Sequence, residues 1–226
     1  MKTKIVTLVI SLLYAALGIN AQNSLPEGFV YANDYIPDLQ VELRYYSTNN
    51  FIGDTITGYK SNKLILSKAA VLQLKKVQEE LSDYNLCLRV YDGYRPQRAV
   101  DHFVKWAKNL NDTLRKADYY PHVKKNQLFE EGYIAAKSGH SKGSTIDVVL
   151  VDGATNQPLD MGTPYDFFGK ASWVNYKELS PKQKANRQLL QDIMLKYNFK
   201  NYPREWWHFT LKQEPFPNTY FNFDIN

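Results

Sequence analysis

Cysteine is nearly missing from this chain: Cys87 is the single one in 226 residues. No internal disulfide can form, and every thiolate-based zinc motif is excluded, so any bound metal must rely on histidine and carboxylate. Cys87 lies among apolar residues in "NLCLRVY", which suits a buried thiol better than a nucleophile. Histidine is scarce as well, with four in all. Charge is close to balanced. The formal excess of +5 includes Lys2 and Lys4 of the N-terminal segment, and so small a surplus gives no reason to invoke nucleic acid. "KKVQEE" answers its own lysines with glutamates and reads as a solvated helix face. No long hydrophobic run is present either. The longest spans Ile5 to Ile19, 15 residues, against the roughly 20 that a membrane-crossing helix needs.

That short run has a different use. Two lysines, an apolar middle and small residues up to Ala21 make residues 1–21 a secretory signal peptide, with Ala16-Leu17-Gly18 as a second small-residue cleavage site. No cysteine follows either site, which argues against a lipid-anchored form, and no stable membrane anchor is expected. A mature domain covering 22–226 is long enough to bury a single substantial core.

The rest reads as an α+β domain, with helices packed on a mainly antiparallel sheet. "DLQVELRYY" alternates Leu39, Val41, Leu43 and Tyr45 and predicts a strand. "SKAAVLQLKKVQEELSDY" places Ala70, Val71, Leu74, Val77 and Leu81 at helical spacing behind a Ser67 N-cap. "NLCLRVYDGYRP" predicts a strand running into a turn, with Pro96 opening the helix that follows. Residues 111–135 read as a loop-rich insertion near the site, and "STIDVVLV" as a β-branched strand. A Gly- and Pro-containing loop covers 152–180. Ser180-Pro181 then caps a helix with Leu189, Leu190, Ile193, Met194 and Tyr197 on one stripe, and "EWWHFTLK" closes as a strand.

Two segments carry candidate chemistry. In "SGHSKGSTID" (138–147), glycines turn the chain tightly before a strand that contains Asp147 within an apolar run. An unpaired buried carboxylate is costly, so this aspartate either faces solvent on a half-buried strand or meets a cation or several donors. In "EWWH" (205–208), Glu205 and His208 stand three apart and in a regular strand would face opposite ways. A bulge near Trp206-Trp207 is needed if both serve one site. A catalytic zinc takes three protein ligands and leaves one position to water, and hydrolysis needs a further carboxylate off the metal.

The S-x-H-x-x-G-x-x-x-D pattern followed by E-x-x-H resembles the zinc D-alanyl-D-alanine dipeptidases, a group within the wider D-Ala-D-Ala carboxypeptidase and hedgehog-like fold. "DGYRP" (92–96), "MGTPYDFF" (161–168), "EWWHF" (205–209) and "EPFPNTYFNF" (214–223) match in the same order, from about Val41 to the C-terminus. The resemblance implies His140, Asp147 and His208 as ligands of one Zn2+, Glu205 as catalytic base and Arg95 facing the scissile carbonyl. It also implies Asp166 and Tyr45 at the substrate amine, with Ser138 and Tyr59 lining the pocket near the substrate carboxylate. His102 and His122 match no ligand position. Where the family usually has alanine this chain has Thr145, so extra volume is expected against the strand. The implied partner is a small dipeptide, D-alanyl-D-alanine, met during cell-wall turnover in the periplasm. Two alternatives stand beside it. One is a D,D- or L,D-carboxypeptidase acting on longer wall peptides; the other is a zinc-stabilised binding module without catalysis, against which the presence of both Glu205 and Arg95 speaks.

Overall fold

A computed structural model describes residues 25–226; the proposed signal peptide, 1–21, lies outside the described residues. The framework is a five-stranded sheet built from β2 (Gln40–Val41), β4 (Leu86–Asp92), β5 (Thr145–Asp152), β6 (Phe199–Tyr202) and β7 (Glu205–Leu211), in the order β2-β4-β5-β7-β6. Only the β2–β4 pair is parallel, which makes the α+β, mainly antiparallel class an observed feature. A small second sheet pairs β1 (Phe29–Tyr31) with β3 (Ile65–Ser67). Helices α1 (Lys68–Ser82), α2 (Gln97–Lys108) and α4 (Pro181–Lys196) surround this frame, and a single turn, α3 (Lys116–Tyr119), interrupts the 111–135 insertion. Among the described residues no helix is long and apolar enough to cross a membrane.

Helices α1 and α4 begin where their sequences dictate. Ser67 accepts a hydrogen bond from the Ala70 amide, and Ala70, Val71, Leu74, Val77 and Leu81 are buried along one face of α1. At α4 the Ser180 hydroxyl and the Gln183 side chain satisfy each other's backbone amides in a capping box, with Pro181 in the first turn. Leu190, Ile193 and Met194 reach the core. Leu189 does not: it is exposed, because its direction on the helix falls beyond the buried stripe.

The expected strand from Leu39 to Tyr45 is corrected to two residues. After Val41 the Glu42 amide still bonds Val90, but the Leu43 amide turns to the Asn62 side chain, and residues 44–46 form a 3-10 turn. Leu39, Leu43 and Tyr45 are buried all the same, so the alternation reported burial rather than extended backbone. Cys87 is half-buried at its sheet position and accepts from the Gln40 amide; burial pushes its thiol up, away from the reactive thiolate.

Two bulges shape the sheet. Between β4 and β5, Val90 pairs with Val148 but Asp92 with Asp147, so Tyr91 is an extra residue. Between β6 and β7, Asn201 pairs with Phe209 but Tyr202 with Glu205, so β7 arches over 206–208. The arch buries Trp206 and Trp207 in succession, which a regular strand with one wet face would not do. This is the irregularity that Glu205 and His208 required.

Arg187 of α4 pins the 152–180 loop by donating to the carbonyls of Met161, Ala171 and Trp173. The C-terminal tail works similarly: the Phe221 amide bonds Ser141 O, and Phe221 O accepts from the Gln97 amide, tying the start of α2 to the turn at 139–142. Ser180→Ala, which removes one half of the capping box far from the cavity, is expected to cost about 1 kcal/mol in chemical denaturation and to leave the site unaltered.

Candidate metal centre and active site

The register of the sheet draws up the site. Asp92 on β4 pairs with Asp147 on β5, and Asp147 pairs with His208 on β7, so three polar side chains stand in one row across the middle of the sheet. β5 is buried along seven consecutive residues, which removes the solvent-facing reading of Asp147. His140 arrives from the 3-10 turn Gly139–Lys142 that precedes β5. Gly143 ends that turn at φ +80°, and a Cβ there would lie 2.2 Å from the Phe29 ring. Only glycine allows the chain to turn back into β5 so close to its neighbour.

His140 Nε2, His208 Nδ1 and Asp147 Oδ1 converge. The two nitrogens are 3.4 Å apart, and they lie 3.4 and 3.2 Å from Asp147 Oδ1. Bonds of about 2.0–2.1 Å in a tetrahedral shell place neighbouring donors roughly 3.3–3.4 Å apart, so the three atoms already hold the spacing of a zinc site. Asp147 Oδ1 is buried without a hydrogen-bond partner, an orphaned acceptor that a cation would satisfy. His140 Nδ1 sits 2.8 Å from Gly93 O, which fixes its proton there and leaves the Nε2 lone pair for a metal. Among the described residues this is the one cluster of histidine and carboxylate groups with such convergence.

The electrostatics divide the carboxylates. Burial alone pushes the Asp147 carboxyl up, but the His140 and His208 imidazoles reverse this and hold it below the usual range. Burial pulls His208 down, yet Asp147 and Glu205 more than offset it and raise the imidazole to about 10. The cluster therefore holds positive charge, as a proton or as the metal that replaces it. Glu205 Oε2 lies 3.2 Å from His208 Nδ1 and beside, rather than within, the converging triad.

Arg95 stands beside the row, against Asp92. Its Nε and Nη2 reach Asp92 Oδ2 at 2.9 and 2.8 Å, and its guanidinium stacks over the rings of Tyr45 and Phe103. Burial pushes the Asp92 carboxyl up; Arg95 and His140 oppose that. Asp166 is buried at φ +60° and receives the Tyr45 hydroxyl at 2.8 Å. Burial, then the charge of Asp147, pushes the Asp166 carboxyl well up, against the opposing Tyr45 hydrogen bond and the charge of Arg95. An aspartate held in the left-handed region at a cavity wall is backbone strain retained at a working position.

A cavity of about 270 Å³ gathers these groups: Arg95, Ser138, His140, Asp147, Asp166, Glu205, His208 and Tyr45 all line it. The 111–135 insertion contributes Gly132 to Ala135, as expected of a segment near the site. Tyr59 is a correction. It does not line the cavity but is buried, donating to Asp92 Oδ1 at 2.6 Å, and so braces the carboxylate that holds Arg95. Thr145 does not press on its strand: its hydroxyl pairs with that of Thr210 at 2.9 Å, and the glycine at 139 leaves it room. His102 interacts with Thr57, and neither it nor His122 joins the cluster.

Two residues escaped the sequence reading. Asp92 is the partner of Arg95 and could have been found by the argument applied to Asp147, since it too belongs to an apolar strand, as the last residue of β4. Tyr165, whose hydroxyl lies 3.1 Å from both Asp147 Oδ2 and the Tyr45 oxygen, carries no sequence signal of its own. His140→Ala is expected to abolish stoichiometric metal binding in an elemental assay, whereas His102→Ala retains one ion per chain.

The chain is 37% identical over 197 residues to a D-alanyl-D-alanine dipeptidase of Streptomyces coelicolor, covering 87% of this chain and 98% of that protein. It is 36% identical over 202 residues to one of Enterococcus faecalis, covering 89% and 100%. A looser likeness, TM-score 0.43 at 16% identity, relates 85% of this chain to 72% of an LD-carboxypeptidase whose structure was described for its peptidoglycan recognition. A family model described as D-ala-D-ala dipeptidase, peptidase M15, matches residues 26–226, and the chain belongs to that family of peptidases.

Proposed function

We propose that this chain is an exported zinc dipeptidase that hydrolyses D-alanyl-D-alanine to two D-alanines. The observation that carries this reading is one small cavity that joins the His140–Asp147–His208 triad to a buried, cation-seeking Asp166. A zinc ion held by the triad would supply Lewis acidity to the scissile carbonyl and to water.

The chain's own residues do the rest. Glu205, next to the triad but not part of it, takes the proton of the attacking water and passes it to the leaving amine. Arg95 is oriented by Asp92 through Nε and Nη2 and stabilises the oxyanion as it grows. Asp166, with the Tyr45 hydroxyl on its Oδ2, receives the substrate ammonium. Ser138 accepts the His140 amide through Oγ and so keeps its hydroxyl proton for the substrate carboxylate.

A buried carboxylate at the amine end closes the cleft to longer chains, since an N-terminal extension would replace the ammonium by an amide and leave Asp166 unpaired. This favours the dipeptidase over a carboxypeptidase acting on longer peptides. Export rests on Lys2, Lys4, the apolar run to Ile19 and Ala21. A periplasmic enzyme would meet the dipeptide as a product of wall turnover. Depletion of a precursor made in the cytoplasm would need the enzyme to stay there, so processing of wall fragments is the fitting role.

Two measurements test the reading. Glu205→Ala is expected to keep its zinc while turnover falls by roughly 10²–10⁴-fold; near-normal activity would show the base to be misassigned. Turnover of D-alanyl-D-alanine is expected to exceed that of a pentapeptide ending in the same two residues. The opposite ranking would make the protein a carboxypeptidase.

A further inference from the structure

Asp147 offers two oxygens, and the structure treats them differently. Oδ1 faces His140 Nε2 and His208 Nδ1, whereas Oδ2 is turned toward the Tyr165 hydroxyl at 3.1 Å. The nearest other donor to Oδ2, Arg95 Nη2, stands 3.9 Å away, beyond hydrogen-bonding range, and is engaged by Asp92. Tyr165 is buried, and its ring is fixed by Tyr91 at 5.0 Å and Trp207 at 5.5 Å between centroids. Its hydroxyl also lies 3.1 Å from the Tyr45 oxygen, and Tyr45 in turn donates to Asp166.

We propose that Tyr165 is the positioning residue of the metal centre: its hydroxyl holds Asp147 Oδ2 off the ion so that the carboxylate binds through Oδ1 alone. The inference rests on the metal reading of the triad. A carboxylate free at both oxygens swings toward bidentate binding and fills the position that a catalytic site keeps open for water. A hydrogen bond to the second oxygen prevents this. The single Tyr165 proton has two acceptors at equal distance, and the charged Asp147 is the stronger one. Tyr45 spends its own proton on Asp166, so the chain Asp147–Tyr165–Tyr45–Asp166 links the metal ligand to the amine pocket through buried groups only.

Tyr165→Phe removes the hydroxyl and keeps the packed ring. In competition with a chromophoric chelator, its zinc dissociation constant is expected to rise roughly 10- to 100-fold over that of the wild-type chain. With cobalt(II) in place of zinc, the visible absorption is expected to shift in position and intensity as Asp147 Oδ2 takes up the position otherwise left to water. Tyr45→Phe deprives Tyr165 of its other acceptor, leaves its proton wholly on Asp147, and is expected to bind zinc as tightly as the wild type. An unchanged constant in Tyr165→Phe overturns the proposal. So does a weakened constant with an unaltered cobalt spectrum, or an equal loss in Tyr45→Phe. A wild-type chain that binds no metal would instead refute the metal reading beneath it.

Discussion

A carboxylate buried in the central strand of the sheet governs how the surrounding residues are arranged. Asp147 is 1% exposed, flanked in sequence by Ile146 and Val148 and covered on both faces of β5. A lone carboxylate in such a place would cost several kcal/mol. The fold answers it from every side: two imidazoles at Oδ1, a tyrosine hydroxyl at Oδ2, and Arg95 further off. Each comes from a different segment, so the charge of this side chain fixes how the turn at 139–142, the loop around 165 and β7 meet. Oδ1 is left without a hydrogen-bond partner, and a cation between the three donors would satisfy it.

The second carboxylate of the row, Asp92, plays the opposite part. It is fully buried, yet Tyr59 and Arg95 saturate it. An acid with its own cation needs no metal; it serves to aim that cation. Asp166 is the third case, a buried acid with a phenol for company and no cation. Three neighbouring aspartates thus differ by their partners: Asp147 faces two imidazoles, Asp92 is paired to arginine, and Asp166 receives a phenol hydroxyl. The division follows from their partners, since the residue type is the same throughout.

Regular structure supplies the rigidity and irregular structure supplies the aim. Cross-strand register puts Asp92, Asp147 and His208 in one row, and the arch of β7 at 206–208 lets Glu205 join His208 on the same side. Arg187 and the C-terminal tail, both remote from the chemistry, tie down the two loops that deliver Asp166 and His140. Loops held by hydrogen bonds to fixed elements can present side chains as precisely placed as those on strands.

Much was legible before any coordinates. Helical spacing and caps located α1 and α4, because a capping hydroxyl and a 3.6-residue apolar period are local properties. An aspartate inside "TIDVVLV" announced an unusual burial, and the pair at 205 and 208 demanded a bulge that is there. The sequence by itself determined that any metal held here must rely on histidine and carboxylate, since a single cysteine rules out every thiolate set. Only the tertiary structure decided that residues 39–45 leave the sheet, because an Asn62 side chain competes for the Leu43 amide. It alone moved Tyr59 from the cavity wall to the back of Asp92 and brought Tyr165 to Asp147. Those contacts join residues 33 and 18 positions apart through side-chain atoms, and no local pattern of burial or spacing encodes which of 17 tyrosines will stand there.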